Sequence, residues 1–429
     1  VRYLIAALLL FNMYFGQLFP DVVGWGTFAA GAYLSALLLI PLVARRSRRI
    51  LSEAVSRVWL LFAVLVAVTI AYSSNSLVAA SFVLLTVLVL VLLSAVSDAW
   101  VVPFLRVLVL YGMVHVVATI VFYLIPPLYS MTLGDRFNTG PSPVGYVSGL
   151  AANYTHNAMY CALAFLVLAS WAMSEKRLSR RNVALVLAVV ALFAVFLTTK
   201  RAHLAFAVLA IVVVFTSSQV RGRYFKVAVA LFTGYLVLRI AAGFVPGIAS
   251  SLERIEGTFA TDDVQQLTSG RTLLWDYAID GWRDKPVFGH GWASYHFVWP
   301  GGRLESIHSH NAILNAMYET GIVGTLVMLS ATLVSLYLAF RSVSKLGPEA
   351  SVRELSITRS SFAIQIFMLS HAYTSEELFR NPYSYTGYLL AIAVLISVRV
   401  NRGLGCRLHS SASTTSVESR TSSRDGLSA

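Results

Sequence analysis

Charge is what this chain has least of. Only 12% of its 429 residues are Asp, Glu, Lys or Arg, against roughly a quarter in soluble domains, while 57% are hydrophobic. A chain so poor in charge cannot clothe a water-facing surface of this size, which excludes a soluble globular enzyme. Acidic residues are scarcer than basic ones, 20 against 33. Cysteine is nearly absent: Cys161 lies inside an apolar run and Cys406 near the C-terminal end, so no disulfide framework is read. Neither Cys-x-x-Cys nor His-Glu-x-x-His occurs, and the histidines are scattered, so the expectation is no metal and no cofactor. The first apolar run has no basic n-region and no small-residue cleavage site, so it reads as a span and not as a signal peptide.

Long apolar runs are what the chain has in plenty. Crossing about 30 Å of hydrocarbon as a helix takes about 20 residues, and runs of that order recur at 2–18, 23–43, 55–72, 77–96, 104–125, 156–173, 183–199, 202–218, 227–245, 311–340, 360–374 and 384–400. The runs are continuous, without the alternation of barrel strands, so helices are expected. The expected fold is an all-α polytopic membrane protein of about twelve transmembrane helices. Residues 1–245 hold spans one to nine, 246–309 a large outer loop, 310–402 spans ten to twelve, and 403–429 a cytoplasmic tail. From Ser410 onward that tail is rich in Ser, Thr and Arg without apolar periodicity and reads as disordered.

Basic loops orient the spans. Arg45, Arg46, Arg48 and Arg49 follow span two, Lys176, Arg177, Arg180 and Arg181 span six, and Arg221, Arg223 and Lys226 span eight. Arg341, Lys345, Arg353 and Arg359 follow span ten, and Arg399, Arg402 and Arg407 span twelve. All fall on one side, which the positive-inside rule makes cytoplasmic, leaving the loop 246–309 outside. The net charge of +13 is then a topology signal plus attraction to anionic membrane lipids. Nucleic acid is not an expected partner, because the charges are scattered over short loops and form no single face.

The chemistry-bearing residues lie mostly in that outer loop and its borders. The loop carries Gly270-Arg271 with Trp275, then Pro286-Val287-Phe288-Gly289-His290-Gly291-Trp292, and ends in His308-Ser309-His310-Asn311. A helix is expected over Gly270 to Trp282, capped by Thr268 or Ser269, with Leu273, Leu274, Tyr277, Ala278 and Gly281 near one face. Trp275, Trp282 and Trp292 are read as interfacial anchors. The Gly-His-Gly stretch carries no nucleotide fingerprint, having no strand before it. Lys200 and Arg201 fall in a very short turn between spans seven and eight, on the outer side, against the trend of the other basic residues. They read either as snorkelling cations or as partners of an anion. An imidazole ordinarily titrates near pH 6.5 and accepts a proton at neutral pH. His310 beside several arginines therefore suits activation of a hydroxyl next to a pyrophosphate.

The order of these elements resembles the O-antigen ligase/O-antigen polymerase superfamily. It consists of Lys200-Arg201 between two mid-chain helices, Gly270-Arg271 to Trp275, Pro286 to Gly291, His308 to Asn311, and Glu319 to Gly324 in the next span. Arg136-Phe137-Asn138 with Gly140, and Asn153 to Asn157, resemble weaker segments of the family. The resemblance implies a GT-C-like, metal-independent glycosyltransferase in the bacterial inner membrane. It implies a glycan donor linked to undecaprenyl pyrophosphate and an acceptor hydroxyl on lipid A-core or on a growing polysaccharide. On this reading His310 is the base and Asn311 orients its ring. Arg201 and Arg271, with Lys200, hold the pyrophosphate, and Arg136, Arg303, His308 and Glu319 are secondary candidates. Protein O-glycosylation and transport of lipid-linked sugars are the alternatives. The few charges inside the spans and the lack of a visible inverted repeat speak against transport. The loop 246–309 is expected to act as a lid over a lateral opening, flexing at Gly289, Gly291, Gly301 and Gly302.

Overall fold

Each run expected to form a span overlaps a helix in the computed structural model. The structure describes residues 1–16, 18, 24–43, 54–95, 98–133, 147–151, 153–218, 223–243, 249, 252–253, 256–257, 271–298, 304–305, 308–347, 350–374, 377–380 and 384–392. The first five helices are α1 (Arg2–Phe15), α2 (Trp25–Val43), α3 (Ala54–Thr69), α4 (Ser76–Ala95) and α5 (Asp98–Leu124). Next come α6 (Pro126–Leu133), α7 (Tyr154–Ala172), α8 (Leu178–Leu197), α9 (Arg201–Ser217) and α10 (Arg223–Ala242). Then follow α11 (Thr272–Asp284), α12 (Ala312–Ser344), α13 (Val352–Ala372) and the short α14 (Glu377–Arg380). Residues 384–392 are helical as well. Strands β1 (Phe297–Val298) and β2 (Leu304–Glu305) pair antiparallel, the one sheet among the described residues. By length and composition Val101–Leu124, Leu178–Leu197 and Ala312–Ser344 are able to cross a membrane, and Arg2–Phe15, Val55–Thr69 and Arg201–Ser217 are shorter apolar helices. The tail 403–429, and Arg136 and Arg303, lie outside the described residues.

Two helices form the middle of the bundle. Helix α7 buries residues on every side from Asn157 to Ala172, and α13 does the same from Leu355 to Ala372. Helix α8, by contrast, turns Val183, Leu185, Val186 and Val189 outward. An apolar outer face and a small-residue inner face (Ala184, Ala188, Ala191, Ala194) are what close helix packing in lipid requires.

Helix ends set direction. At one end of α7, Asn153 is the N-cap and its side chain accepts from the N–H of His156 (2.9 Å). At the other end the carbonyl of Met173 and the hydroxyl of Ser174 are bound by a guanidinium nitrogen of Arg359 on α13, at 2.7 and 3.0 Å. Arg359 is only 9% exposed, so it serves as a C-terminal cap and does not simply add to the basic surface. The start of α7 therefore lies with the end of α13, and the basic residues after α7 lie at the opposite end.

Three local expectations change. Helix α13 begins at Val352 and not near 360, because Ser351 and Glu354 form a capping box that starts the helix before the apolar run does. Thr268 and Ser269 lie outside the described residues, and the N-cap position of α11 is Arg271, without a side-chain cap. Trp292 is no interfacial anchor: it is 3% exposed and packs on Phe62 of α3 and Phe82 of α4, with ring centroids at 5.6 and 4.6 Å.

The capping box gives the first prediction. Ser351→Ala removes the acceptor for the Glu354 N–H (3.2 Å) and should lower stability by about 1 kcal/mol. Unfolding of the micelle-solubilised protein, followed by circular dichroism, checks this; an unchanged midpoint would show that the cap contributes nothing.

Candidate active site

The site begins with a break in a helix. Within α12, Gly321 adopts φ 61 and ψ −166, outside helical space, so the carbonyls before it and the N–H groups after it lose their helical partners. Those groups are taken by the Pro286–Gly291 loop. The carbonyl of Tyr318 accepts from His290 N–H (2.9 Å) and that of Glu319 from Gly291 N–H (2.8 Å). On the other side of the break, Ile322 N–H donates to Pro286 (2.8 Å) and Val323 N–H to Val287 (3.3 Å). Two backbones run in direct contact here, which explains the glycines. A Cβ on Gly289 (φ 67) would meet the Glu319 backbone at 2.5 Å, and a Cβ on Gly321 would run into the Val287 carbonyl.

The same loop is held from the far side by the end of α3 and the turn that follows it. Ser73 Oγ donates to the Trp292 carbonyl (2.5 Å), Trp292 N–H donates to Thr69 Oγ1 (3.0 Å), and Tyr72 OH donates to the Phe288 carbonyl (3.1 Å). Gly291 (φ 100) leaves room for Ser73. Gly289 and Gly291 are thus locked between the break in α12 and the α3–α4 turn and do not act as the hinge expected of them. Gly301 and Gly302 lie outside the described residues.

Helix α11 docks on this platform. Leu274 and Ala278 are buried with Tyr295, Phe297 and Tyr318, while Leu273, expected on the same face, is exposed. Gly281 lies directly under the Tyr318 ring, where a Cβ would clash. The His290 ring stacks on Tyr318 (centroids 4.5 Å, 23°), and its Nε2 pairs with the Gly281 carbonyl (2.8 Å). Trp282 Nε1–H donates to Pro286 (3.2 Å). The decisive contact is Trp275 Nε1–H to the carbonyl of Ser309 (2.9 Å). It joins the Arg271–Trp275 helix to the His308–Asn311 turn.

That turn is tightly specified. Ser309 is fully buried; its N–H donates to Asn315 Oδ1 (3.3 Å) and its hydroxyl to the Asn311 carbonyl (2.9 Å). His310 has φ 54, a left-handed conformation costly for most side chains and more common for Asn, Asp and His. Asn311 is the N-cap of α12, its Oδ1 accepting from Ile313 and Leu314 at 3.0 and 3.2 Å. Its oxygen therefore serves the helix, and Nδ2 is the part of that amide left to face a ring. Glu319, 1% exposed, accepts from the Tyr295 N–H (3.3 Å) and so holds the segment after the loop. His308 is half-buried beside Ser309.

The cations arrive from two other directions. Arg271 binds the Thr374 carbonyl through one guanidinium nitrogen (2.7 Å), which ties the start of α11 to the turn after α13. Lys200 ends the three-residue turn between α8 and α9 and Arg201 opens α9, with Thr199 at φ 57 and the Lys200 ammonium 4.1 Å from the Tyr154 ring centroid. The two groups are linked through rings: His371 of α13, in the turn that presents Thr374, packs on His203 of α9 at 4.4 Å. The ends of α3, α7, α9, α12 and α13 that carry the sequence motifs therefore gather at one end of the bundle.

A protein-family model described as O-antigen ligase matches residues 186–329, the stretch from α8 to the first half of α12 that builds this end. Over that stretch the chain is similar to the O-antigen ligase family. Over 175 residues it is 26% identical to the exopolysaccharide production protein ExoQ of Rhizobium meliloti (strain 1021), covering 36% of this chain and 37% of that protein. The match thus spans well under half the length of that relative. Within the matched stretch, sequence reasoning gave no role to His203, His290, Asn315 or Tyr318. The rings of His203, His290 and Tyr318 pack on other segments, and Asn315 accepts from the Ser309 N–H, so no single local pattern marks them.

Two substitutions probe the platform. Gly321→Ala forces a left-handed Ala against the Val287 backbone and should cost about 1–3 kcal/mol, abolishing activity in a protein that still inserts. Trp275→Phe keeps the ring and removes one hydrogen bond, about 1 kcal/mol, and should slow turnover less. Thermal unfolding together with activity ranks them; equal and native-like behaviour of both would show that the break and the Trp275–Ser309 bond are incidental.

Proposed function

We propose that this protein is a membrane glycosyltransferase of the O-antigen ligase type, transferring a glycan from an undecaprenyl-pyrophosphate carrier to an acceptor hydroxyl on the outer face of the inner membrane, with lipid A-core as acceptor. The observation that carries the reading is the Trp275–Ser309 bond, which sets the Arg271 helix against the His310 turn. Arg271 lies one helical turn before Trp275, on the same side of α11.

The reaction needs two things from these residues. The acceptor oxygen attacks the anomeric carbon as its proton passes to the His310 imidazole. The bond from that carbon to the pyrophosphate breaks with its electron pair, and undecaprenyl pyrophosphate leaves. Arg201 and Arg271, with Lys200, neutralise the charge growing on the leaving group, the largest single term in many such reactions. The basic residues after α7 lie at the end opposite the site, which supports an outer-face placement; a twelve-span, GT-C-like bundle with its basic loops inward is part of the same proposal. The carrier's tail stays in lipid, so the pyrophosphate enters from the side, close to the helix ends.

A polymerase that joins repeats into a surface polysaccharide is the second reading, favoured by the similarity to an exopolysaccharide production protein. The donor side is shared, and only the acceptor differs.

His310→Asn tests the base without straining the turn, because Asn tolerates the left-handed backbone. In nanodiscs with a lipid-linked glycan it should lower transfer roughly 100- to 10,000-fold while donor binding persists. Arg271→Lys should instead weaken donor binding, since the planar fork is lost. Native turnover by His310→Asn, with His308→Asn inactive, would move the base to His308. Supplying lipid A-core and polysaccharide repeats in turn separates ligase from polymerase.

A further inference from the structure

Two polar side chains around the Lys200-Arg201 pair have nothing to bind. The Thr199 hydroxyl is buried and unpartnered, and so are both ring nitrogens of His203, a residue only 3% exposed, among the described residues. An unsatisfied buried donor or acceptor is destabilising, and this imidazole leaves two such atoms. Apolar packing would be served as well by Leu or Phe at this position. The ring packs against the His371 ring (4.4 Å) and the Phe367 ring (6.1 Å) of α13. A packed ring with idle nitrogens is what a binding site looks like before its ligand arrives.

The surroundings define the ligand. Thr199 and His203 flank the first turn of α9, whose leading N–H groups and helix dipole favour negative charge. Lys200 and Arg201 lie between them in sequence, and Lys200, His156 and His371 are near enough to act on the charge of His203. Among the described residues no carboxylate acts on it. A cluster of donors and cations at a helix N-terminus fits a phosphate group.

We infer that Thr199 and His203 form an inner phosphate position, taking one phosphate of the lipid-linked donor beneath the Lys200-Arg201 pair, with His371 backing the His203 ring. The inference rests on the pyrophosphate reading above and adds neutral hydrogen-bond donors to a site so far described only by its cations. It assigns the two phosphates different neighbours: one meets Thr199, His203 and the α9 N-terminus, and the other faces Arg271.

The probe is geranylgeranyl pyrophosphate, titrated into the full-length protein in phosphatidylcholine nanodiscs. His203→Phe keeps the ring contacts with His371 and Phe367 and removes both nitrogens; it should raise Kd about tenfold or more, the loss of one hydrogen bond to a charged partner. His203→Gln retains a donor and should lie between, and Thr199→Val should act in the same direction. Thermal unfolding confirms that each variant is folded, and Gln stands in as the test if Phe does not fold. Native affinity in both His203 variants while Arg201→Ala binds weakly would overturn the inner position and leave the pyrophosphate reading standing. Native affinity in Arg201→Ala as well would overturn that reading itself. If phosphatidylglycerol in the nanodisc displaces the probe at equal concentration, the position serves lipid headgroups, and the donor assignment falls.

Discussion

A single main-chain pairing supports the rest of this architecture. At Gly321 helix α12 stops being a helix for one residue, and four backbone groups are thereby set free inside a protein. In an apolar setting such groups must be satisfied, each failure costing several kcal/mol. The Pro286–Gly291 loop meets the requirement with two donors and two acceptors, so the break and the loop each stabilise the other. Neither pattern, Glu-x-Gly-x-x-Gly or Pro-x-x-Gly-x-Gly, has a structural meaning alone. Their glycines mark the two faces of one contact.

Once that contact exists, the candidate active site follows by short steps. The loop carries His290 onto Tyr318, and Tyr318 covers Gly281, which positions α11. Helix α11 carries Trp275 to Ser309 and Arg271 to Thr374. The His308–Asn311 turn is then pinned from outside by Trp275 and from inside by Asn315. The left-handed conformation of His310 persists because both flanks are fixed. Rigid elements hold the side chains that the proposed transfer needs, which is the condition for a preorganised charge clamp.

Charge is used sparingly and for several purposes in this bundle. Arg359 closes the end of α7, Lys200 sits over Tyr154, and Arg271 reaches a backbone carbonyl. Each of these three contacts is to a neutral acceptor or a ring. A neutral partner orients a cation without cancelling its charge. A carboxylate in the same place would stabilise the resting protein and weaken an anion site.

The sequence by itself determined the helices, the approximate extent of most of them, and the residues worth attention, because apolar run length and glycine spacing are local properties. Thr272–Asp284 was legible from its periodicity, and His310, Arg271 and Lys200-Arg201 from their order along the chain. It was silent on what depends on contacts between distant segments. Trp292 reads as an anchor until Phe62 and Phe82 are seen around it, and Gly289 reads as a hinge until the Glu319 backbone is seen against it. Arg359 reads as one more basic loop residue until it is found capping α7. His203 carries no motif at all; only its burial beside His371, with both nitrogens idle, distinguishes it. Tertiary structure decided these points because a hydrogen bond or a close backbone approach is a property of two segments, and one segment's pattern does not contain it.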